Sequence, residues 1–244
     1  MNEVIILAGG LGTRLKSKVP DLPKCLANVS GKPFLFYIIN NLRFQNINKF
    51  IFALGYKSEL VLKYLNEDFK NLNYTYVIEE ELLGTGGAIK LALKKVKNAN
   101  ILVTNGDTFF NLDINLEFLI NKHKKEDSDF TILTKKMIEI NRYGVIEIDN
   151  NGRILNFKEK GDYNIGLINA GTYLINVKSF KRYTSGKTIF SVEKNYLEFY
   201  VNKLNFYGVE GNGYFIDIGI PEDYEKANKD FEAKKLNFNM IDKS

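Results

Sequence analysis

The pattern of apolar and polar positions opens with a short run, Val4-Ile5-Ile6-Leu7-Ala8, rich in β-branched residues and closed by glycine. Such a run predicts a strand buried on both faces, as in a parallel sheet. Phe34, Tyr37, Ile38 and Leu42 then recur at helical spacing, and Pro33 suits a first helical position, so a helix is predicted over 32–45. Residues 49–54 read as a second strand, Ser58 as the cap of a second helix with Leu60, Val61 and Tyr64, and 74–78 as a third strand. A helix over 88–95 leads to a fourth strand over 100–104. Strand and helix in alternation imply an α/β fold, with a parallel sheet and right-handed crossovers.

After an amphipathic helix over 115–125 and a strand over 130–134, the texture turns β-rich. Alternating segments at 146–149 and 154–157 flank Asn150-Asn151-Gly152, a strong hairpin signal. The strand predicted over 167–175 carries Gly171 at its centre, which suggests a close approach by a ligand or by backbone. Ser191 is placed to cap a helix over 193–200; strands over 204–209 and 214–218 and a helix from Pro221 to about 234 complete the pattern. Residues 235–244 show no periodicity and read as a tail. The organisation expected is one domain over 1–234, its first half (1–135) built of alternating strands and helices and its second (136–234) β-rich with a closing helix.

Two glycine-rich stretches change the picture from fold to chemistry. The first strand runs into Gly9-Gly10-Leu11-Gly12-Thr13-Arg14-Leu15, followed by Pro23-Lys24. Glycines there either make a tight turn or let successive N–H groups converge on one anion. Arg14 and Lys24 add a forked and a point-like cation, a pair suited to a polyphosphate. Leu15 stands where the dinucleotide fingerprint needs a third glycine, and no P-loop spacing follows. The second stretch, Glu79-Glu80-Glu81-Leu82-Leu83-Gly84-Thr85-Gly86-Gly87, ends the third strand. Thr85 is expected to cap the next helix, and the glycines to let a flat ligand lie against the backbone. Asn105-Gly106-Asp107 ends the fourth strand, so three strands deliver special residues to one sheet edge, where α/β folds bind ligands. An aspartate there suits Mg²⁺, or simply a turn.

Bulk properties narrow the partners. With 34 basic and 29 acidic residues mixed along 244, the net charge of +5 suits small anionic ligands and gives no sign of a nucleic-acid arm. The one cysteine, Cys25, excludes an internal disulfide and fits a cytoplasmic location. The one histidine, His123, sits in a Lys-rich stretch and is expected on a solvated face; one His and one Cys cannot build a typical zinc site. The N-terminus runs directly into a strand and reads as lacking a signal peptide, and no apolar run reaches membrane-spanning length.

The ordered set G-G-L-G-T-R-L (9–15), P-K (23–24), L-G-T-G-G-A (83–88), N-G-D (105–107), Y-G-V (143–145), F-K-E-K-G (157–161), N-A-G-x-Y (169–173) and D-I-G-x-P-E-D-Y (217–224) resembles the sugar-nucleotide pyrophosphorylases. The likeness covers roughly residues 2–232. It implies a Rossmann-like three-layer sandwich, its mixed, mostly parallel sheet carrying a small β-rich sugar-binding insertion. It also implies transfer of a nucleotidyl group from a nucleoside triphosphate to a sugar 1-phosphate, with release of pyrophosphate. By this resemblance Arg14, Lys24 and Lys160 are catalytic. Leu7, Ala8, Gly9, Gly10, Gly12, Thr13, Glu79, Gly84, Thr85, Asn105 and Gly106 hold the nucleotide, with Glu79 and Gly84 flanking the base. Gly144, Glu159, Lys160, Asn169 and Gly171 shape the sugar-phosphate pocket, and Asp107 and Asp217 hold Mg²⁺. Within the family the motifs are most similar to the branch that uses GTP and a manno-heptose 1-phosphate. A mannose 1-phosphate guanylyltransferase is the nearest alternative, and thymidylyl-, uridylyl- or cytidylyltransferases follow. A catalytically inactive sensing relative is disfavoured, because the charged set survives. Self-association is left open; neither nucleic acid nor membrane is an expected partner.

Overall fold

The computed structural model describes residues 2–111, 116–138, 140, 143–158, 161 and 163–233. Its first strand, β1 (Glu3–Ala8), is buried along almost its whole length. Val4 and Ile6 face one apolar cluster and Ile5 faces another, so the strand has core on both sides. That is the outcome its unbroken apolar run dictates. Even Glu3 is buried, its carboxylate held by Lys49 and by Asn98 Nδ2 at 2.7 Å.

A two-residue ribbon, β2 (Asn28–Val29) and β3 (Lys32–Pro33), precedes α1 (Phe34–Phe44). The helix therefore starts one residue after Pro33, whose ψ of 141° is still extended. Then come β4 (Lys49–Leu54), α2 (Ser58–Asp68), β5 (Tyr74–Ile78), α3 (Gly84–Ala92), β6 (Asn100–Asn105) and the short β7 (Thr108–Phe110). The second half holds α4 (Leu116–Lys125), β8 (Phe130–Ile138), β9 (Val145–Ile148), β10 (Ile154–Lys158), β11 (Ile165–Asn176) and α5 (Val177–Tyr183). A π-turn over Glu193–Leu197 leads into α6 (Glu198–Tyr200), followed by β12 (Phe206–Glu210), β13 (Phe215–Asp217) and α7 (Pro221–Glu232).

Among the described residues nine strands form the main sheet. Strands β5, β4, β1 and β6 lie side by side and parallel. Strand β11 then runs antiparallel to β6, β8 runs antiparallel to β11, and β12 pairs parallel with β8. The β9–β10 hairpin joins the first half of β11 through Leu167 and Ile168. Helices α1, α2, α4 and α7 cover one face, through residues such as Phe34, Leu65, Leu119 and Phe231. Helices α3 and α5 and the π-turn cover the other, through Ile89, Phe180 and Tyr196. The result is a three-layer α/β sandwich with a mixed sheet, as the family resemblance implies; the antiparallel run of β11 is what the alternation of strands and helices alone does not predict. No helix among the described residues is long and apolar enough to cross a membrane.

Two local expectations are corrected. Ser58 does not cap α2: it is the first helical residue, and Lys57 precedes it in a left-handed conformation. His123 is not solvated: it is 2% exposed, with Nδ1 2.8 Å from Thr131 Oγ1 and Nε2 3.3 Å from Asn100 Oδ1. Leu116, Leu119 and His123 are spaced i, i+3, i+7 on the buried face of α4, and helical period outweighs the surrounding lysines.

Burial lowers the His123 pKa to about 4, so the folded protein binds this proton less readily than the unfolded chain, where the ordinary value is about 6.5. Stability from this group is therefore full above pH 6.5 and is lost as pH falls toward 4. Between pH 7 and pH 5 the unfolding free energy is expected to drop by about 2 kcal/mol on this account. Urea melts at the two pH values, with His123→Gln showing a correspondingly flatter pH dependence, check this.

Candidate active site

The carboxyl ends of β1, β5 and β6 converge on one cavity of about 420 Å³. Every residue that the family resemblance assigned to the nucleotide lines it, from Leu7 through Thr13, Glu79, Gly84 and Thr85 to Asn105 and Gly106. Arg14, Lys24 and Asp107 line it too. After Ala8 the chain turns through the glycines into a 3-10 turn (Thr13–Leu15); Leu15 is buried and anchors the turn, while Arg14 is exposed at the cavity. Gly9 lies close to Glu79: a Cβ there would fall 2.3 Å from Glu79 Oε1 and 3.2 Å from Gly55 N, so a side chain would displace the carboxylate. Glu79 is half-buried, its Oε2 accepting from Leu83 N–H at 3.2 Å, and burial raises its pKa. Its neighbours Glu80 and Glu81 are exposed. Cys25 also lines the cavity, its thiol pushed up to about 12 by burial and by the charge of Asp107.

The acidic corner comes from the small β7–β13 ribbon, whose register sets Asp217 opposite Thr108 and so beside Asp107. Lys24 Nζ lies 2.6 Å from Asp107 Oδ2 and 3.7 Å from Asp217 Oδ1. Burial, then the neighbouring Asp107 charge, raises the Asp217 pKa, against the opposing pull of Lys24, the Gly219 N–H at 2.7 Å and Arg14. Two carboxylates thus face one ammonium and remain short of positive charge. A hard divalent cation that takes one or two carboxylates and draws its other ligands from phosphate and water fits this set. The described residues hold no cluster of three or more acidic, His or Cys side chains, so substrate oxygens would complete the shell.

A second cavity of about 210 Å³ opens beside the first and shares Arg14, Asn105 and Gly219 with it. It brings together Gly144, Asn169, Gly171 and Asp217. At Gly171 the β11 ladder shifts register, φ is +70°, and a Cβ would lie 2.7 Å from Asn105 Nδ2. Asn169 Oδ1 accepts the Gly171 N–H at 2.9 Å. Tyr143, Tyr173, Phe215 and Glu193 also line this cavity, and none of them is among the site residues that the resemblance implies. Both tyrosines belong to family motifs, Y-G-V (143–145) and N-A-G-x-Y (169–173), whereas the only sequence signal at Glu193 is its place in a helix. Glu159 and Lys160 lie outside the described residues. A wider groove of about 910 Å³, lined by Phe36, Arg43 and Phe69 among others, contains none of the motif residues.

The second glycine stretch works differently from the expectation. Thr85 lies inside α3 and does not cap it. Its hydroxyl donates to Glu193 Oε2 at 2.8 Å and accepts from Val192 N–H at 2.9 Å. Gly84 lines the cavity, but Gly86 and Gly87 are pressed against Phe190 and Thr188, so their missing side chains admit protein and not ligand.

The chain is 42% identical over 230 residues to D-glycero-alpha-D-manno-heptose 1-phosphate guanylyltransferase of Aneurinibacillus thermoaerophilus, covering 94% of this chain and 98% of that protein. It is 42% identical over 222 residues to the protein of the same description from Campylobacter jejuni, covering 91% and 96%. Its fold matches the crystal structure of HddC from Yersinia pseudotuberculosis with a TM-score of 0.84 and 40% identity, over 95% of this chain and all of that one. A second HddC structure, complexed with GMP-PN, matches at 0.83 and 39%, with the same coverage. The model of the family described as Nucleotidyl transferase matches residues 3–234, and the chain belongs to that family.

Proposed function

We propose that this protein is a sugar-1-phosphate guanylyltransferase. It joins the guanylyl group of GTP to D-glycero-α-D-manno-heptose 1-phosphate and releases pyrophosphate, a reaction suited to surface-glycan synthesis. The observation that carries this reading is the meeting of two cavities at Arg14, with the Asp107–Asp217 pair at their seam. The relatives at 42% identity support the choice of base and sugar.

In this reading an oxygen of the sugar 1-phosphate attacks the α-phosphorus of GTP. The bond to the β-phosphate breaks, and pyrophosphate leaves with the electron pair. The nucleophile is already an anion, so no general base is needed, and neutral, buried His123 plays no part. The work is to bring two polyanions together and stabilise the charge at the reacting phosphorus. Backbone N–H groups of residues 10–13, with Arg14, receive the triphosphate. Asp107 and Asp217 hold Mg²⁺, which when bound offsets phosphate charge as a Lewis acid. Lys24 orients Asp107 through its short ion pair and adds a positive charge beside the triphosphate. Gly144, Asn169 and Gly171, with Glu159 and Lys160, receive the sugar phosphate. Glu79 supplies carboxylate acceptors for the two adjacent donors of guanine, N1–H and N2–H₂.

A panel of five nucleoside triphosphates against heptose 1-phosphate and mannose 1-phosphate, read by mass spectrometry, is expected to give GDP-heptose as the main product. Preference for mannose 1-phosphate would move the assignment to the neighbouring activity, and preference for a pyrimidine nucleotide would refute guanylyl transfer. Glu79→Gln is expected to narrow the preference for GTP over ATP, which loses about thirtyfold where buried acceptors face no donors.

Chelating divalent cations should stop pyrophosphate release, and Mg²⁺ should restore it. Asp217→Ala is expected to slow turnover at least about a hundredfold, the scale of lost metal-assisted charge stabilisation. A near-normal rate would remove Asp217 from the metal site.

A further inference from the structure

Glu193 belongs to none of the motifs, yet it stands between the two cavities. Its Oε2 accepts from Thr85 Oγ1 at 2.8 Å and from Ser191 Oγ at 2.6 Å. Its Oε1 lies 3.4 Å from the Tyr173 hydroxyl, which in turn receives Asn169 Nδ2 at 2.8 Å. Thr85 lines the first cavity and not the second; Tyr173, Asn169 and Glu193 line the second and not the first.

The backbone around Glu193 is built for this placement. It opens the π-turn Glu193–Leu197, and single π-turns insert an extra residue that re-aims a side chain, often at functional sites. Tyr196 and Leu197 of the same turn are fully buried, so the turn cannot rotate freely. Upstream, Phe190 N–H donates to Leu83 O at 2.9 Å, and Gly86 N–H donates to Phe190 O at 3.0 Å. The segment carrying Glu193 is thus sewn to the start of α3, and a charged acceptor crosses from one pocket wall to the other.

We propose that Glu193 is a positioning residue that couples the two pockets, holding Thr85 on the nucleotide side and the Tyr173–Asn169 pair on the sugar-phosphate side in one hydrogen-bonded unit. The assignment of the two pockets rests on the reading under Proposed function. A hydrogen bond to a half-buried carboxylate is stronger than one between neutral groups, and its loss leaves the carboxylate short of a donor. Disturbing one wall therefore disturbs the other.

The test uses Thr85→Val, Thr85→Ser and Glu193→Gln in the full chain, with melting temperatures to confirm folding. Thr85→Val should raise KM for the sugar 1-phosphate as well as for the triphosphate, by up to about tenfold, and Thr85→Ser, which keeps the hydroxyl, should restore both. Glu193→Gln should raise both KM values. A Thr85→Val variant that changes only the triphosphate KM overturns the coupling while leaving the guanylyltransferase reading intact. A wild-type protein that turns over no substrate pair overturns that reading instead. Hydrogen exchange in the free protein then decides the coupling: faster exchange at 169–173 in Thr85→Val upholds it, and unchanged protection refutes it. Should Glu193→Gln not fold, the two Thr85 variants decide alone.

Discussion

The carboxyl-edge geometry depends on β1 being held from four sides. It is hydrogen-bonded to β4 on one edge and β6 on the other, and packed against core on both faces. A strand so constrained cannot slip by one residue without turning Val4 and Ile6 into the wrong layer. The point where its side chains end is fixed with the same accuracy, so Gly9 meets Glu79 and Leu7 O receives the Gly106 N–H at 2.8 Å. Three loops from three strands thereby share one floor. The site inherits its precision from a stretch of aliphatic residues that do no chemistry.

Electrostatics at that floor are left unbalanced by construction. Lys24 closes on Asp107, and Asp217 stands behind it with a raised pKa. A fully neutralised corner would gain nothing from a cation. One that lacks positive charge would favour a cation, and in the proposed reading that cation and the polyphosphate enter the same space, each supplying what the other needs. Arg14, exposed and common to both cavities, extends this positive side toward the second pocket.

Much of this was legible from the sequence, for identifiable reasons. Strands β4 and β5 fell where period and composition put them, because neighbouring parallel strands leave little choice of face. Residues expected at the nucleotide line one cavity because they sit at strand ends, and strand ends are what short apolar runs mark most sharply. Side-chain chemistry that depends on a distant partner was not legible. Thr85 looked like a helix cap until Glu193, 108 residues away, claimed its hydroxyl. Gly86 and Gly87 look open to a ligand in the sequence, but Phe190 fills the space at the first and Thr188 at the second. His123 looked solvated because three lysines surround it, and only the periodicity of α4 says otherwise.

The cysteine in the first cavity has a chemical consequence. With its pKa near 12, only on the order of one Cys25 in 10⁵ is a thiolate at neutral pH. Electrophiles and oxidants act on the thiolate, and this one is both scarce and 3% exposed. A sulfur atom that lines the first cavity is thus withheld from redox chemistry as long as the fold stands. Once the fold opens, its pKa returns toward the ordinary value and the same atom becomes a nucleophile, so the durability of the active site against oxidation is borrowed from the stability of the domain.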